Sequence, residues 1–179
     1  MNLIVRKATA ADAPCAAFVL CESWKSAYRS ILTVEELARH TDVEWRTVQL
    51  ESMIPQVEGG FVVALDGDTT CGLCFYDESR DEDCAGFGEI VALYALSGYW
   101  GAGVGDALMR AALGGLAAQG YRRAMLWVFE ENRRARRFYE KHGFVCDRDA
   151  AGELVAKRST FGNAREVRYV CDLPCIGKV

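Results

Sequence analysis

The sequence predicts one α/β domain with a mixed sheet spanning residues 1–179, and three observations point there. Short apolar runs with strand character alternate with stretches of helical periodicity. A chain of 179 residues is near the roughly 150 residues expected of one domain, and its 51% hydrophobic and 26% charged residues supply a core and exclude intrinsic disorder. A glycine cluster, Gly98, Gly101, Gly103 and Gly105, lies where a strand hands over to a helix.

The elements follow in order. Leu3 to Lys7 reads as a first strand. Asp12 is placed to N-cap a helix running to about Tyr28, with Phe18, Cys21 and Trp24 turned inward. Thr33 with Glu36 is a capping-box pattern and opens a second helix through about Ser52. Phe61 to Leu65 and Cys71 to Tyr76 form a hairpin across the Asp66-Gly67-Asp68 turn. The acidic stretch Asp77 to Asp83 reads as a loop, and Gly88 to Leu96 as a long strand. A helix from about Gly103 to Gln119 places Val104, Leu108 and Ala111 on one face, although Gly114-Gly115 weakens its second half. Gly120 stops it. Ala124 to Phe129 is a buried strand, Asn132 caps a short helix ending at Gly143, and Phe144 to Asp147 and Arg165 to Cys171 are the last strands.

Charge and targeting signals narrow the function. Twenty-one Lys and Arg against 25 Asp and Glu leave −4, which argues against a dedicated nucleic-acid binder with its basic stripe. No run of 18 apolar residues exists, so no membrane span is expected. Met1 to Lys7 has no basic region followed by an apolar run, so no signal peptide is read there. Eight cysteines, at 15, 21, 71, 74, 84, 146, 171 and 175, are scattered and read as reduced packing residues of a cytoplasmic protein. Cys71-Gly72-Leu73-Cys74 lies on a strand, where i and i+3 point to opposite faces, so no metal site is expected.

The segment Trp100-Gly101-Ala102-Gly103-Val104-Gly105 joins a strand to a helix N-terminus. The first N–H groups of a helix lack internal partners and carry the positive end of its dipole. Glycines remove the side chains that would hold a ligand off this backbone, so the turn suits a phosphate or pyrophosphate. A Walker A loop needs Lys-Ser/Thr after its second glycine, and Val104-Gly105 stands there. The dinucleotide pattern G-x-G-x-x-G fails at Asp106 or Leu108. Alone, such glycines fit a simple chain reversal equally well. In the second informative segment, Asn132 to Phe144, Ala135, Phe138, Tyr139 and His142 share one helical face. There Tyr139 is either a core residue or a phenol offered to a cleft.

Together the two segments resemble the GNAT superfamily of acyl-CoA-dependent N-acyltransferases. Its acyl-CoA motif, Q/R-x-x-G-x-G/A, is met by Gly103 and Gly105, with Trp100 in place of Gln or Arg. Its second pattern, N-x-x-A-x-x-F-Y-x-x-x-G-F, is matched by Asn132, Ala135, Phe138, Tyr139, Gly143 and Phe144. The element order matches the family's across nearly the whole chain. The resemblance implies a mostly antiparallel central sheet, splayed between the fourth and fifth strands and flanked by helices. It implies acetyl-CoA as acyl donor without a metal. Backbone groups of Leu93, Tyr94 and Ala95 would meet the pantetheine arm, and Trp100, Gly101, Ala102, Gly103, Val104 and Gly105 the pyrophosphate. Asn132 would bond the pantetheine. Tyr139 would protonate the leaving thiolate, and Glu89 would accept the amine proton through water. Trp24 and Tyr28 lie where the family walls its acceptor pocket, with core packing the equal alternative.

The implied activity is acetyl transfer to a primary amine of a small molecule, polyamine or peptide. A non-catalytic acyl-CoA-binding sensor of the same fold is the alternative. No nucleic-acid or membrane partner is expected, and homodimers are common in that family. Four arginines, 133, 134, 136 and 137, are candidates for the CoA 3′-phosphate. Five acids against Arg80 leave −4 on Asp77 to Asp83, a charge that would draw a cationic acceptor if the segment borders the acceptor mouth.

Overall fold

A computed structural model describes residues 2–173. Strand β1 (Leu3–Lys7) pairs antiparallel with β2 (Gly60–Asp66), which turns through Gly67 into β3 (Thr69–Glu78). β3 pairs antiparallel with β4 (Gly88–Ala95). β4 pairs parallel with β5 (Arg123–Phe129), and β5 antiparallel with β8 (Arg165–Asp172). β6 (Val145–Cys146) and β7 (Ala156–Arg158) both pair with β8, giving the order β1-β2-β3-β4-β5-β8-β6 with β7 also on β8. The expected mixed sheet, mostly antiparallel with one parallel junction, is therefore present.

Alternation along the strands sends side chains to two cores. Val62 and Ala64 face α4 (Val104–Ala118) and α5 (Arg133–Lys141). Phe61 and Val63 face α1 (Ala13–Tyr28) and α3 (Val43–Met53). α4 buries Val104, Leu108, Ala112 and Leu116 as one stripe and runs unbroken through Gly114-Gly115. Gly115 is needed there, because a Cβ would run into the Tyr76 ring.

Several expectations change. The predicted second helix is two: α2 (Val34–His40) ends, and Asp42 caps α3 afresh by accepting the Trp45 N–H at 2.9 Å. Phe18 is 51% exposed, because the buried face of α1 runs through Ala13, Ala17, Leu20 and Trp24. Asp12 stands at the N-cap position but turns its carboxylate to Arg6 and Thr9. Asp77 and Glu78 belong to β3 rather than to a loop. The strand expected over Phe144 to Asp147 shrinks to two residues, and β7 went unread because three residues carry no periodicity. Cys71 and Cys74 are both buried packing residues, and Cys175 lies outside the described residues. Among the described residues, no helix is long and apolar enough to cross a membrane, and no cluster of His, Cys, Asp or Glu is placed to hold a metal ion.

One irregularity shapes the middle of the sheet. Phe75 pairs with Ala92 and Tyr76 with Ile90, so Val91 is an extra residue in β4. Such a bulge bends its strand. Parallel pairing to β5 is confined to Gly88 with Ala124 and Glu89 with Met125. Among the described residues, β4 keeps β3 as its only strand partner from Ile90 to Ala95, and its other edge is open.

Candidate active site

A cavity of about 640 Å³ fills the gap between β4 and β5. Leu93, Tyr94 and Ala95 line it. Every second N–H and C=O of a strand points to a given edge, so this stretch presents unpaired backbone groups to the cleft.

At one end stands the glycine turn. Gly101 and Gly103 have φ of 79° and 89°, a left-handed conformation that side-chain-bearing residues rarely adopt. A Cβ at either would meet no atom within 4 Å, so open space lies over the turn. Gly103 caps α4 without a side-chain acceptor, which leaves the first amides of the helix free for an anion. The six predicted turn residues are not equivalent. Trp100, Gly101, Gly103 and Gly105 line the cavity, whereas Val104 packs beneath it and exposed Ala102 gives its N–H to the Tyr99 carbonyl. Gly105 serves packing, since a Cβ there would sit 3.1 Å from the Phe138 ring. Asp106, whose charge alone would repel a phosphate, is tied at 2.8 Å to both Lys141 and His142, and this pairing lowers its pKa.

Trp100 occupies the place of the motif's Gln or Arg. Its indole N–H donates to the Ala95 carbonyl at 2.9 Å, and the Arg134 guanidinium lies 3.4 Å from its ring centroid. Of the four arginines, Arg134 is the one that lines the cavity. Arg136 is engaged by the Tyr169 hydroxyl and the Glu130 carbonyl. The Arg134 guanidinium is thus held beside the turn by stacking on Trp100.

Tyr139 is buried against Phe138 and Phe144 and reaches the same cavity. Burial pushes its phenol well above the ordinary tyrosine value, Tyr94 and Cys74 add to the rise, and Arg134 opposes it. The group therefore stays protonated as a proton donor must. Asn132 caps α5 by accepting the Ala135 N–H at 3.1 Å, and its side-chain NH₂ remains for a partner in the cleft.

Glu89 is 3% exposed and also lines the cavity. Both its oxygens are gripped by Arg80: Nη2 at 2.7 Å and Nε at 3.1 Å, with the Arg80 backbone N–H at 3.3 Å. Two carboxylates of the acidic segment are engaged in similar fashion. Asp81 accepts the Trp127 indole N–H, and Asp83 pairs with buried Arg168, which also holds Asp147. Arg80 and Asp81 themselves reach the cavity wall.

Trp24 and Tyr28 line the opposite end, their rings 5.2 Å apart. Sequence reasoning missed Ser23, Phe129, Phe161 and Glu166 at this end. Glu166 and Phe129 lie in runs that read as plain strands, and Phe161 follows a strand too short to detect, so none carried a local signal.

The model of the acetyltransferase (GNAT) family matches residues 21–144. Mycothiol acetyltransferase of Streptomyces scabiei is 31% identical over 121 residues, 58% of this chain. The match spans only 39% of that enzyme's length. The uncharacterized N-acetyltransferase Rv2669 of Mycobacterium tuberculosis is 29% identical over 133 residues, covering 74% of this chain and 83% of the relative. Among solved structures, the PaiA N-acetyltransferase of Thermoplasma acidophilum, in complex with coenzyme A, superposes with a TM-score of 0.74. That similarity covers 94% of this chain and 98% of the other at 21% identity, and so speaks for the fold.

Proposed function

The chain belongs to the acetyltransferase (GNAT) family, and from that premise we propose that it moves the acetyl group of acetyl-CoA to a primary amine by direct attack. One observation supports this above all: a side-chain-free helix N-terminus, an open strand edge and a buried phenol line a single cleft. These residues fit the donor substrate. The amides at Gly103 to Gly105 and the Arg134 guanidinium suit its phosphates. The free edge of β4 suits the amides of its pantetheine, which add like a strand. Asn132 offers one more donor there.

The chemistry gives each group a task. A lysine-like amine has a pKa of about 10.4, so removing its proton at pH 7.4 costs about 4 kcal/mol, and a carboxylate or ordered water on the acceptor side lowers that cost. Attack places negative charge on the carbonyl oxygen, which an open-edge β4 N–H can stabilise. Departure of a thiolate of reference pKa about 8.5 is helped by the Tyr139 proton. Glu89 acts in this scheme through Arg80, keeping the guanidinium fixed in the cleft wall.

Incubation with acetyl-CoA and a panel of amines, followed by detection of free thiol, tests the reading. Amine-dependent thiol release is the expected result. Acetyl-CoA binding by calorimetry without release from any amine would instead favour an acyl-CoA sensor.

A further inference from the structure

We propose that the acceptor end of the cleft receives a protonated primary amine with a neighbouring carbonyl or hydroxyl on a compact apolar body, and that Glu166 takes its proton. This rests on the acetyl-transfer reading above.

Glu166 stands directly opposite Phe129 of β5 and Lys157 of β7. Antiparallel partners share a face, so its carboxylate lies on the side of Phe129, whose ring meets Tyr28 edge-on at 4.8 Å. Among the described residues, its one hydrogen bond comes from the Ser159 hydroxyl, at 3.0 Å to Oε1. Its second oxygen remains open for an ammonium. Glu89 differs, because both of its oxygens are already occupied by Arg80 donors. The charged and titratable groups around Glu166 are Lys157, Glu89 with its Arg80, and the phenols of Tyr28 and Tyr94. Burial raises the Glu166 pKa from its ordinary value, Glu89 adds to the rise, and Ser159 and Lys157 oppose it. Lys157 rests its ammonium 4.0 Å over the Trp127 ring.

A second observation identifies the rest of the ligand. Ser23 and Trp24 are 2% and 3% exposed and line this cavity; among the described residues, Ser23 Oγ and Trp24 Nε1 make no hydrogen bond of good geometry, the Trp24 N–H having only the Tyr94 hydroxyl nearby. An indole N–H only donates, so its partner must bring a lone pair. A polyamine made of ammonium groups has none to offer. An acidic acceptor would set its carboxylate against Glu166 and Glu89. A carbonyl or hydroxyl beside the amine meets the requirement, and the ring of Trp24, with those of Tyr28 and Phe161 at 5.2 and 4.9 Å from it, covers an apolar body.

The step balances. The ammonium gives one proton to Glu166, and the freed lone pair bonds to the thioester carbonyl carbon. The carbon–sulfur bond breaks, and the sulfur takes the Tyr139 proton. The nitrogen then loses its second proton, which restores the phenol, and Glu166 passes its own to solvent. One proton is released overall, with an amide and a thiol as products.

The experiment compares leucinamide with isoamylamine, spermidine and glutamate on the wild type, Glu166→Gln and Trp24→Phe. Leucinamide should be the best acceptor. Glu166→Gln should lower kcat/KM for it about 10²-fold or more near pH 7. Much of the loss should return above roughly pH 8, where an α-amino group of pKa about 7.7–8.0 is neutral in solution, and acetyl-CoA affinity should hold. Trp24→Phe keeps a ring and removes the N–H, so KM should rise for leucinamide and stay put for isoamylamine. Preference for spermidine or glutamate, or a Glu166→Gln effect that is absent or equal at every pH, would overturn the assignment while thiol release by the wild type upheld acetyl transfer. Absence of release with every amine would overturn both.

Discussion

Gly103→Val separates the structural role of the glycine turn from its role toward phosphate. Gly103 sits at φ 89° and ψ −3°, and a Cβ there would touch nothing within 4 Å. The folding penalty is therefore backbone strain without a clash, about 1–2 kcal/mol for an L residue in the left-handed region. In a domain of this size that lowers Tm by about 2–8 °C. The effect on binding is larger in kind, because the isopropyl group stands in the open space over the α4 amides. With CoA at 100 times Kd, the wild type gains about 2.7 kcal/mol, or about 5–11 °C in Tm. A loss of 10² in affinity reduces that gain to about 0.4 kcal/mol at the same concentration, roughly 1–2 °C. Thermal melts with and without CoA, checked by calorimetry, read both quantities. Gly114→Val is the control: on the exposed side of α4, with nothing within 4 Å, it should keep the full CoA shift. A Gly103→Val protein that melts lower yet keeps the wild-type CoA shift would refute the anion-turn reasoning.

Tyr139→Phe should lower kcat about 10²-fold with CoA affinity unchanged; since burial raises this phenol, the wild-type rate should show no loss from its deprotonation until pH passes the ordinary value of about 10, and a full-rate variant would return Tyr139 to packing. Arg134→Ala should weaken CoA binding about tenfold or more and flatten its salt dependence, with Lys a poor replacement because it cannot stack on Trp100 in the same way; unchanged affinity would remove Arg134 from the phosphate site. Arg168→Met leaves Asp83 and Asp147 without the buried cation that each meets at 2.8 Å, and should cost about 3 kcal/mol, seen as a drop in the urea midpoint; a midpoint within error of wild type would show that the pairs contribute nothing net.

The features legible in the sequence are those that local chain chemistry dictates. Alternating glycines before a helical run mark a turn with a bare backbone, and the structure has such a turn there, with Gly101 and Gly103 left-handed. Asn132 ahead of α5 and Gly143 behind it are a cap and a stop set within one turn of helix. Ala135, Phe138 and Tyr139 share a face because 3.6 residues make a turn, whatever they pack against. Tertiary structure decided the rest. The cleft opens because Val91 is one residue too many for the pairing of β4 with β3, and register between strands has no local signature. Glu89 is gripped by Arg80 across a loop whose path depends on the strands at either end. Trp100 acquires a cation only because α5 docks beside the turn and sets Arg134 over its ring. At the acceptor end, Glu166 from β8 meets Ser23 and Trp24 from α1, residues distant in the chain that share a wall only after β5 and β8 pair and α1 packs on that face. Backbone conformation is chosen by neighbouring residues, whereas a site assembled across a sheet is chosen by which faces the whole chain can bury together.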